Sequence, residues 1–485
     1  PHLAIGEIFD VERCRRHSHV DIRLLYSKYP LPGGLVAVNY YQKLFFEAIR
    51  FRNLVVVQDF HIAREGFDSI LGLFTPDTIN EKHISSVFYT KYILPRLSSI
   101  TSPLHHMTDL ERSYFCRMMT FVYREQLASR LGVQEGIGNS SADLWNMPIA
   151  EKKETGNIYT GLQITKKEKS TDYNGYDTIT LAVPDQGVDF LPNFRTGDSI
   201  YLYAYQKDKE PDVRASILFK GSLVSIHSDE LVVHLNDGQQ NPAIIHGEAF
   251  AIEHSEMGGN SGIKGLFLFA ATTSDRRSLL LGQRAPKSDQ RLSLTRSYHP
   301  SYDEIILKAK QAQDYFLLVG PPGTGKTSMA LHYIVEEQLA SGKGDILLLS
   351  YTNRAVDEIC GMLCDNHLNF IRIGNEYTCD ERFRPYLLQH AINDCPKLST
   401  IKDCIRSTRI IVGTTTTIQS QSYLFNLKHF SLAIIDEASQ ILEPNLIGLL
   451  SMTDGGNKIA VDKFILIGDY KQLPSTRYRI RYSSQ

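Results

Sequence analysis

The sequence predicts an α/β protein whose later part is a parallel sheet, preceded by a small β-barrel and an α/β N-terminal region. Three observations support this fold class. After residue 315, apolar strand-like runs alternate with helix-like stretches, which is typical of parallel strands covered on both faces. Between about 150 and 255, short alternating runs are separated by Gly, Asp, Asn and Pro, which indicates an all-β block. Before that block, short apolar runs alternate with helical patterns.

These changes of pattern divide the 485 residues into three regions, in line with roughly 100 to 200 residues per domain. We predict an α/β region over 1–140, a small β-barrel over 141–260 and the parallel-sheet domain over 261–485. The link GGNSG at 258–262 marks the second boundary. The longest helical pattern of the first region runs from Asp109 to Leu131 and stops before a glycine, as helices commonly do.

Composition and charge exclude several classes of protein. Hydrophobic residues at 42% and charged residues at 22% are typical of a globular chain. The net charge of -2 excludes nucleic-acid binding by bulk positive charge, so any such binding must be local. No apolar run could span a bilayer and the N-terminus lacks a secretory signal, so we expect an intracellular protein, cytoplasmic if bacterial, with no membrane partner. The seven cysteines form no CxxC pair and predict reduced thiols.

A glycine-rich loop, GPPGTGKT, follows the apolar run Phe316 to Val319 and precedes a helical pattern. This is the context of a phosphate-binding loop, whose glycines let backbone N–H groups turn toward phosphates at a helix N-terminus. Lys326 should reach the β- and γ-phosphates, and the Thr327 hydroxyl should coordinate Mg²⁺. A chance glycine-rich turn is the alternative, and the strand and helix around the loop argue against it. The predicted ATP-binding residues are Gly320, Pro321, Pro322, Gly323, Thr324, Gly325, Lys326, Thr327 and Ser328.

Two adjacent acids follow the apolar run Leu432 to Ile435, at the carboxyl edge of the predicted sheet, where ligands bind. Asp436 suits the Mg²⁺ shell, and Glu437 suits the base that orients and activates the attacking water. The alternative is a solvated acidic pair without a function, and the phosphate loop in the same domain argues against it. Gln472 follows the next predicted strand, Phe464 to Ile467, where its amide could sense the γ-phosphate; a merely solvated glutamine is the alternative.

Five motifs occur in one order: GPPGTGKT, SYTNRAVDEI, GTTTTI, IIDEASQ and IGDYKQLP. Together they resemble superfamily I helicases, and more closely the branch that holds the Okazaki-fragment nuclease-helicase and the nonsense-mediated-decay helicase. The resemblance implies a P-loop RecA-like motor domain that uses Mg²⁺, hydrolyses ATP to ADP and phosphate, and moves 5′ to 3′ on a single strand. It also implies that Lys326, Glu437 and Gln472 are the catalytic residues.

The same resemblance implies two segments that touch the nucleic-acid backbone. The matching residues are Ser350, Thr352, Asn353, Thr414, Thr415 and Thr416. Short hydroxyls suit a translocase, because backbone contacts grip every sequence alike. Strand-end capping by these side chains is the alternative. We expect single-stranded DNA rather than RNA as the partner, because SYTNRAVDEI and the N-terminal sequence lean toward the nuclease-helicase group.

The resemblance extends beyond the motor. It assigns the β-rich block to the small barrel ahead of the phosphate loop, the helix at 109–131 to a stalk, and 374–410 to a small helical insertion. Ser301 and Tyr302 stand where the family has an adenine-reading glutamine, so the resemblance does not carry adenine selectivity. After QLP the chain runs into STRYRIRYSSQ. We therefore expect a fragment of a longer helicase that lacks the second RecA-like domain and is weak or inactive alone.

The first 140 residues resemble the last part of the nuclease region that precedes the motor in Okazaki-type nuclease-helicases. We assign no nuclease residue there, and expect the metal-binding acids upstream of Pro1. The sequence thus predicts an ATP-dependent helicase or translocase on single-stranded nucleic acid. The alternative is a nucleic-acid-binding ATPase that acts as a clamp or switch without unwinding.

Overall fold

The computed structural model describes the chain in several stretches. They are residues 102–131, 144–145, 147–170, 175–187, 190–255, 261–342, 344–393, 397–454, 458–469 and 471, together with positions 87, 90, 91 and 95. In this described part, no helix combines the length and the apolar character needed to cross a membrane. Most of the predicted α/β region 1–140 lies outside the described residues, and so does Gln472.

The described residues form two compact units. The sheet unit draws its described residues from Pro1–Arg124, Gly259–Ile373 and Ala391–Thr476. The barrel unit draws its described residues from Glu125–Gly258 and Gly374–His390. Among the described residues, the barrel unit therefore has two segments, and the second is short and lies between two segments of the sheet unit.

The helix predicted from Asp109 to Leu131 is present with those bounds and is called α1. It begins with a capping box, in which the Glu111 N–H donates to the Thr108 hydroxyl at 3.3 Å and the Thr108 N–H donates to the Glu111 carboxylate at 2.8 Å. The same buried carboxylate is paired with the Arg277 guanidinium at 2.9 Å. Because a backbone donor and a cation both bind Glu111, its burial is compensated and the start of α1 is held in place.

A closed barrel forms the body of the second unit. Its strands are β1 (Ile158–Lys169), β2 (Tyr176–Ala182), β3 (Ser199–Tyr205), β4 (Phe219–Ile226), β5 (Glu230–Gln239) and β6 (Ala249–His254). They pair antiparallel in the order β1-β2-β5-β4-β3-β6, so that among the described strands no edge is left open. Alternate side chains of these strands point inward and fill the core with Leu, Ile, Val and Phe. Two short helices, α2 (Ile149–Glu154) and α3 (Pro242–His246), flank the strands.

A buried polar cluster ties α2 to the barrel wall. The Lys152 Nζ donates to the Glu253 Oε2 at 2.6 Å and to the Leu144 carbonyl at 2.8 Å. The Tyr203 hydroxyl donates to the Glu253 Oε1 at 2.5 Å. Burial raises the pKa of Glu253 above its ordinary value, while Lys152 and Tyr203 act to lower it. The charge of this acid is thus matched by a cation and a hydroxyl inside the protein.

Residues 374–390 pack on the barrel. The ring of Tyr377 stacks on His234 of β5, with centroids 3.9 Å apart and an interplanar angle of 20°. From Ala391 onward the chain belongs to the sheet unit again. The structure therefore divides the predicted insertion 374–410 between the two units, because its first part finds its packing partners on the barrel.

A parallel sheet forms the body of the first unit. Its described strands are β7 (Tyr315–Val319), β8 (Ile346–Ser350), β9 (Ile371–Ile373), β10 (Ile410–Thr414), β11 (Phe430–Asp436) and β12 (Val461–Gly468). Their order is β7-β12-β11-β8-β10-β9, and every pair is parallel. β8 and β10 are buried along their whole length, as the apolar runs ILLLS and IIVGT require. The carboxyl ends of these strands share one edge of the sheet.

Helices cover this sheet. The remaining α-helices are α4 (Ser261–Ala271), α5 (Ser274–Leu280), α6 (Asp303–Gln311), α7 (His332–Ala340), α8 (Asn353–Asp365), α9 (Leu388–Ala391), α10 (Leu398–Ser407), α11 (Thr415–Ser420), α12 (Leu424–Leu427) and α13 (Glu443–Leu450). A π-helical turn, Lys326–Leu331, runs directly into α7. α8 buries Val356, Ile359 and Leu363 at three- and four-residue steps, which places one apolar face on the sheet.

Candidate functional site

The predicted phosphate loop lies between β7 and the π-helical turn. Gly323 and Gly325 have φ values of 77° and 71°, a backbone conformation that other residues rarely adopt. A Cβ atom on Gly325 would also lie 2.5 Å from the Tyr302 hydroxyl. The Thr324 Oγ1 donates to the Pro321 carbonyl at 2.7 Å and closes the loop. Two of the loop glycines are therefore required by the backbone itself.

Lys326 is the buried cation of this loop, with 8% of its surface exposed. Its Nζ donates to the Gly320 carbonyl at 2.7 Å and to the Pro321 carbonyl at 3.1 Å. The ammonium group therefore lies inside the curve of the loop, where phosphate oxygens would replace these carbonyls as partners. Pro322 and Ser328 are exposed on the surface of the loop.

Thr327 and Asp436 meet directly, although 109 positions separate them in sequence. The Thr327 Oγ1 donates to the Asp436 Oδ2 at 2.6 Å, and the Glu437 N–H donates to the Asp436 Oδ1 at 2.9 Å. Asp436 is 1% exposed. A hydroxyl and a carboxylate are the oxygen donors that Mg²⁺ prefers. In the described part of the chain, no group of three or more His, Cys, Asp or Glu could hold a metal, so an ion here would also need phosphate oxygens.

Glu437 stands just past the end of β11 with a φ of 53°, which is rare outside glycine. The turn Ala438–Gln440 follows it. The Gln440 Nε2 donates to the Glu437 Oε2 at 3.1 Å and orients the carboxylate. Sequence reasoning missed Gln440, although the motif IIDEASQ contains it. A strained backbone and an oriented side chain at one position are typical of functional sites.

Burial sets the ionisation of both acids. It raises the pKa of Asp436 above its ordinary value, while the Thr327 hydroxyl, the Glu437 N–H and Lys326 act to lower it. Burial is also the largest cause of the raised pKa of Glu437, and the neighbouring Asp436 raises it further. A raised carboxylate pKa makes Glu437 a better proton acceptor, as a general base requires.

The predicted nucleic-acid-contacting residues end two neighbouring strands, but several of their side chains are already used. Ser350 is fully buried and its Oγ donates to the Asp436 carbonyl at 3.2 Å, and its contact with a nucleic-acid strand stays a prediction. The Thr352 Oγ1 accepts from the Ala355 N–H at 3.2 Å and caps α8. The Ser350 hydroxyl thus holds the backbone of Asp436 at the end of β11.

In the second predicted segment, Thr414 to Thr416, some side chains are likewise buried or cap a helix. The Thr414 Oγ1 accepts from the Thr417 N–H at 3.1 Å and caps α11. Thr415 is buried at 3% exposure, whereas Thr416 is exposed, and the contacts of both with a strand stay predictions. Asn353, in the first segment, is partly exposed. Capping, the alternative considered from sequence, therefore applies to Thr414.

The end of β12 reaches the same edge. Asp469 is 7% exposed, and its N–H donates to the Ser439 Oγ at 3.3 Å in the turn after Glu437. Its Oδ1 accepts from the Lys471 N–H at 2.9 Å. Gln472, the predicted sensor of the γ-phosphate, lies outside the described residues.

Known proteins share sequence with the part of the chain that holds this site. Residues 298–409 and 397–478 match a family model described as an AAA domain. The "DNA replication ATP-dependent helicase/nuclease DNA2" of Saccharomyces cerevisiae is 33% identical over 207 residues, which are 41% of this chain and 13% of that protein. The chain is similar to superfamily I helicases of the helicase/nuclease branch. The resemblance predicted from the motifs is confirmed.

Other helicase/nucleases and solved helicases are also similar. The "DNA replication ATP-dependent helicase/nuclease JHS1" of Arabidopsis thaliana is 37% identical over 171 residues, 35% of this chain and 12% of that protein. The solved "Arterivirus nonstructural protein 10 (helicase) with DNA" is 14% identical, with a TM-score of 0.28 over 60% of this chain and 52% of that one. The matched part of the chain spans 13% of the yeast relative and 12% of the Arabidopsis relative.

Proposed function

We propose that the full-length protein is an ATP-dependent helicase or translocase on single-stranded DNA, which hydrolyses ATP to ADP and phosphate and moves 5′ to 3′. The contact between Thr327 and Asp436 is the observation that carries the proposal, because it joins the end of the phosphate loop to the strand that holds Glu437. Two elements distant in sequence thus converge where a triphosphate would end.

The residues divide the chemistry among them. Loop N–H groups and Lys326 bind the β- and γ-phosphates, and Lys326 exchanges its two carbonyl partners for phosphate oxygens. Mg²⁺, held by Thr327 and Asp436, would neutralise charge on the phosphates. Glu437 accepts a proton from the water as the water oxygen attacks the γ-phosphorus and the bond to the β-phosphate oxygen breaks.

Contacts with the strand would come from the exposed side chains at the carboxyl ends of β8 and β10. Thr416 and Asn353 face solvent fully or in part, and Thr352 is exposed beside them. Backbone contacts of this kind are independent of base sequence, which suits a translocase. The yeast and Arabidopsis relatives are both DNA replication helicase/nucleases, which supports DNA rather than RNA.

A second motor domain completes the proposal. Arginine commonly stabilises the charge that develops on a transferred phosphoryl group in the transition state. None of the described contacts of the loop involves an arginine. We propose that a second RecA-like domain of the full-length protein supplies these arginines. In that case, the 485-residue chain alone should bind ATP but hydrolyse it slowly.

The test is phosphate release by the full-length protein with and without single-stranded DNA or RNA of one sequence, paired with unwinding of 5′-tailed and 3′-tailed duplexes. The proposal expects stronger stimulation by DNA and unwinding of the 5′-tailed duplex only. Stimulation without unwinding of either duplex would favour the clamp or switch. No hydrolysis under any condition would overturn the assignment of the site.

A further inference from the structure

A turn of aromatic residues lies against the phosphate loop. Asp303, in the first turn of α6, accepts from the Tyr298 N–H at 2.8 Å and from the His299 N–H at 3.0 Å. It also accepts from the Ser297 hydroxyl, and these bonds hold the pKa of Asp303 below its ordinary value. The ionised carboxylate of Asp303 therefore fixes the turn from 297 to 303 through hydrogen bonds before any nucleotide binds.

Tyr302 brings this turn into contact with the loop. Its hydroxyl donates to the Thr324 carbonyl at 3.0 Å and lies over Gly325. Its ring meets His299 edge-on at 5.4 Å and Tyr333 of α7 edge-on at 6.0 Å, while His299 and Tyr333 are stacked at 6.4 Å. These three rings belong to a ring cluster beside the loop, in which α7 and the turn before α6 meet and which also contains Tyr298 and His332.

The positions of Thr327 and Asp436 indicate how a bound triphosphate would be oriented. Its terminal phosphate belongs near Thr327 and Asp436, which meet at 2.6 Å. The nucleoside must then leave the loop away from these two residues. The turn that carries Tyr302 touches the loop at Thr324.

Base selectivity depends on hydrogen bonds to the base edge. Adenine is read by an amide, which offers a donor and an acceptor side by side to N7 and the N6 amino group. The turn Tyr298-His299-Pro300-Ser301-Tyr302 contains no amide side chain. The one hydroxyl proton of Tyr302 is already donated to Thr324. The rings of the turn offer stacking, which accepts every base because every base has a π-face.

We propose that Tyr302, with His299 and Tyr333, determines nucleotide specificity by stacking, so that the site hydrolyses purine and pyrimidine nucleoside triphosphates alike. The inference rests on the proposed function, since it concerns the substrate of the same loop. It extends that function from ATP to the whole class of nucleoside triphosphates. Tyr302 acts as a specificity-determining residue and takes no part in the chemical step.

The test compares kcat/KM for ATP, GTP, CTP and UTP in the full-length protein at saturating single-stranded DNA. The four values should lie within about tenfold of one another, since no base edge is read. Tyr302→Gln supplies an amide and should raise the ratio of ATP to GTP at least about tenfold. Tyr302→Phe keeps the ring and should keep the wild-type ratios. Ratios between substrates are unaffected by the fraction of folded enzyme.

The outcomes separate this inference from the proposed function. Hydrolysis of ATP alone, with the other three triphosphates about 100-fold poorer or worse, overturns the inference and leaves the proposed function standing. Equal use of all four triphosphates together with unchanged ratios in Tyr302→Gln overturns the role of Tyr302. Absence of hydrolysis with any triphosphate overturns the proposed function, and the inference with it.

Discussion

Two buried acids, one in each unit, have opposite surroundings. Glu253 in the barrel is bound by the Lys152 ammonium at 2.6 Å and by the Tyr203 hydroxyl. Asp436 in the sheet unit is bound by one hydroxyl and one backbone N–H, while the nearby Lys326 directs its hydrogen bonds to loop carbonyls. Burial raises the pKa of both acids.

The difference in surroundings separates an acid with a structural role, Glu253, from an acid that we expect to act in turnover, Asp436. Glu253 has its cation within the protein, so removal of either partner leaves a charge buried alone. Asp436 has oxygen and N–H partners but no bonded cation in the described contacts, which suits a residue that binds an ion together with substrate. We expect substitutions at the first acid to affect stability, and substitutions at the second to affect turnover.

The largest expected effect concerns the base beside Asp436. Glu437→Gln should lower kcat by about 10² to 10⁴-fold, because an amide cannot accept the proton of the attacking water. ATP binding, measured by fluorescence titration, should persist because the loop is unchanged. The exposed Glu304→Gln is the matched control and should turn over normally. Unchanged kcat in Glu437→Gln would show that another residue is the base.

The second prediction concerns the barrel pair. Lys152→Met should lower the free energy of unfolding by about 3 to 5 kcal/mol, because it leaves the Glu253 carboxylate buried without its cation. Thermal denaturation measures this loss, and the exposed Lys153→Met should show none. Adding Glu253→Leu should restore most of the stability. Lost turnover per folded molecule, with unchanged stability, would contradict a structural role.

The third prediction is a gain of stability, whereas the second is a loss. Asp436→Asn should raise stability at neutral pH by about 1 kcal/mol while abolishing turnover. The pKa of Asp436 is raised in the folded state, so its contribution to stability is present below the ordinary carboxyl pKa and lost as pH rises through the raised value. The gain of the variant should therefore grow with pH. A destabilised variant at neutral pH would contradict this.

The smallest expected effect is a shift in pH dependence. Because the pKa of Glu437 is raised, kcat/KM of the wild type should fall on the acid side at a pH above the ordinary glutamate pKa of about 4.3. Gln440 stabilises the ionised form through its hydrogen bond, so Gln440→Leu should move this fall to still higher pH. A shift in the opposite direction would show that Gln440 does not orient the base.

The sequence predicted most of the site, because local rules define it. A strand, a glycine-rich loop and a helix place Lys326 and Thr327, and an apolar strand that ends in acids places Asp436 and Glu437. The direct bond between Thr327 and Asp436 follows from the parallel sheet, which brings strand ends to one edge. The parallel sheet and the barrel were both predicted, and both are present.

Other features depend on contacts that periodicity does not show. β1 ends in charged residues, KKEK, which resemble a loop, and their antiparallel pairing with β2 makes them a strand. β9 has the buried Arg372 at its centre, which is tolerated because Asp357 pairs with it. The burial of Ser350 depends on strand register, because its pairing with Asp436 places it inside the sheet.

The central claim is that Lys326, held inside the loop, binds the phosphates of a hydrolysed nucleotide. The most direct measurement is phosphate release by Lys326→Ala in the full-length protein with saturating single-stranded DNA, beside the exposed control Lys308→Ala. We predict a loss of at least about 100-fold for Lys326→Ala and none for the control. Strand-stimulated hydrolysis retained by Lys326→Ala would contradict the account.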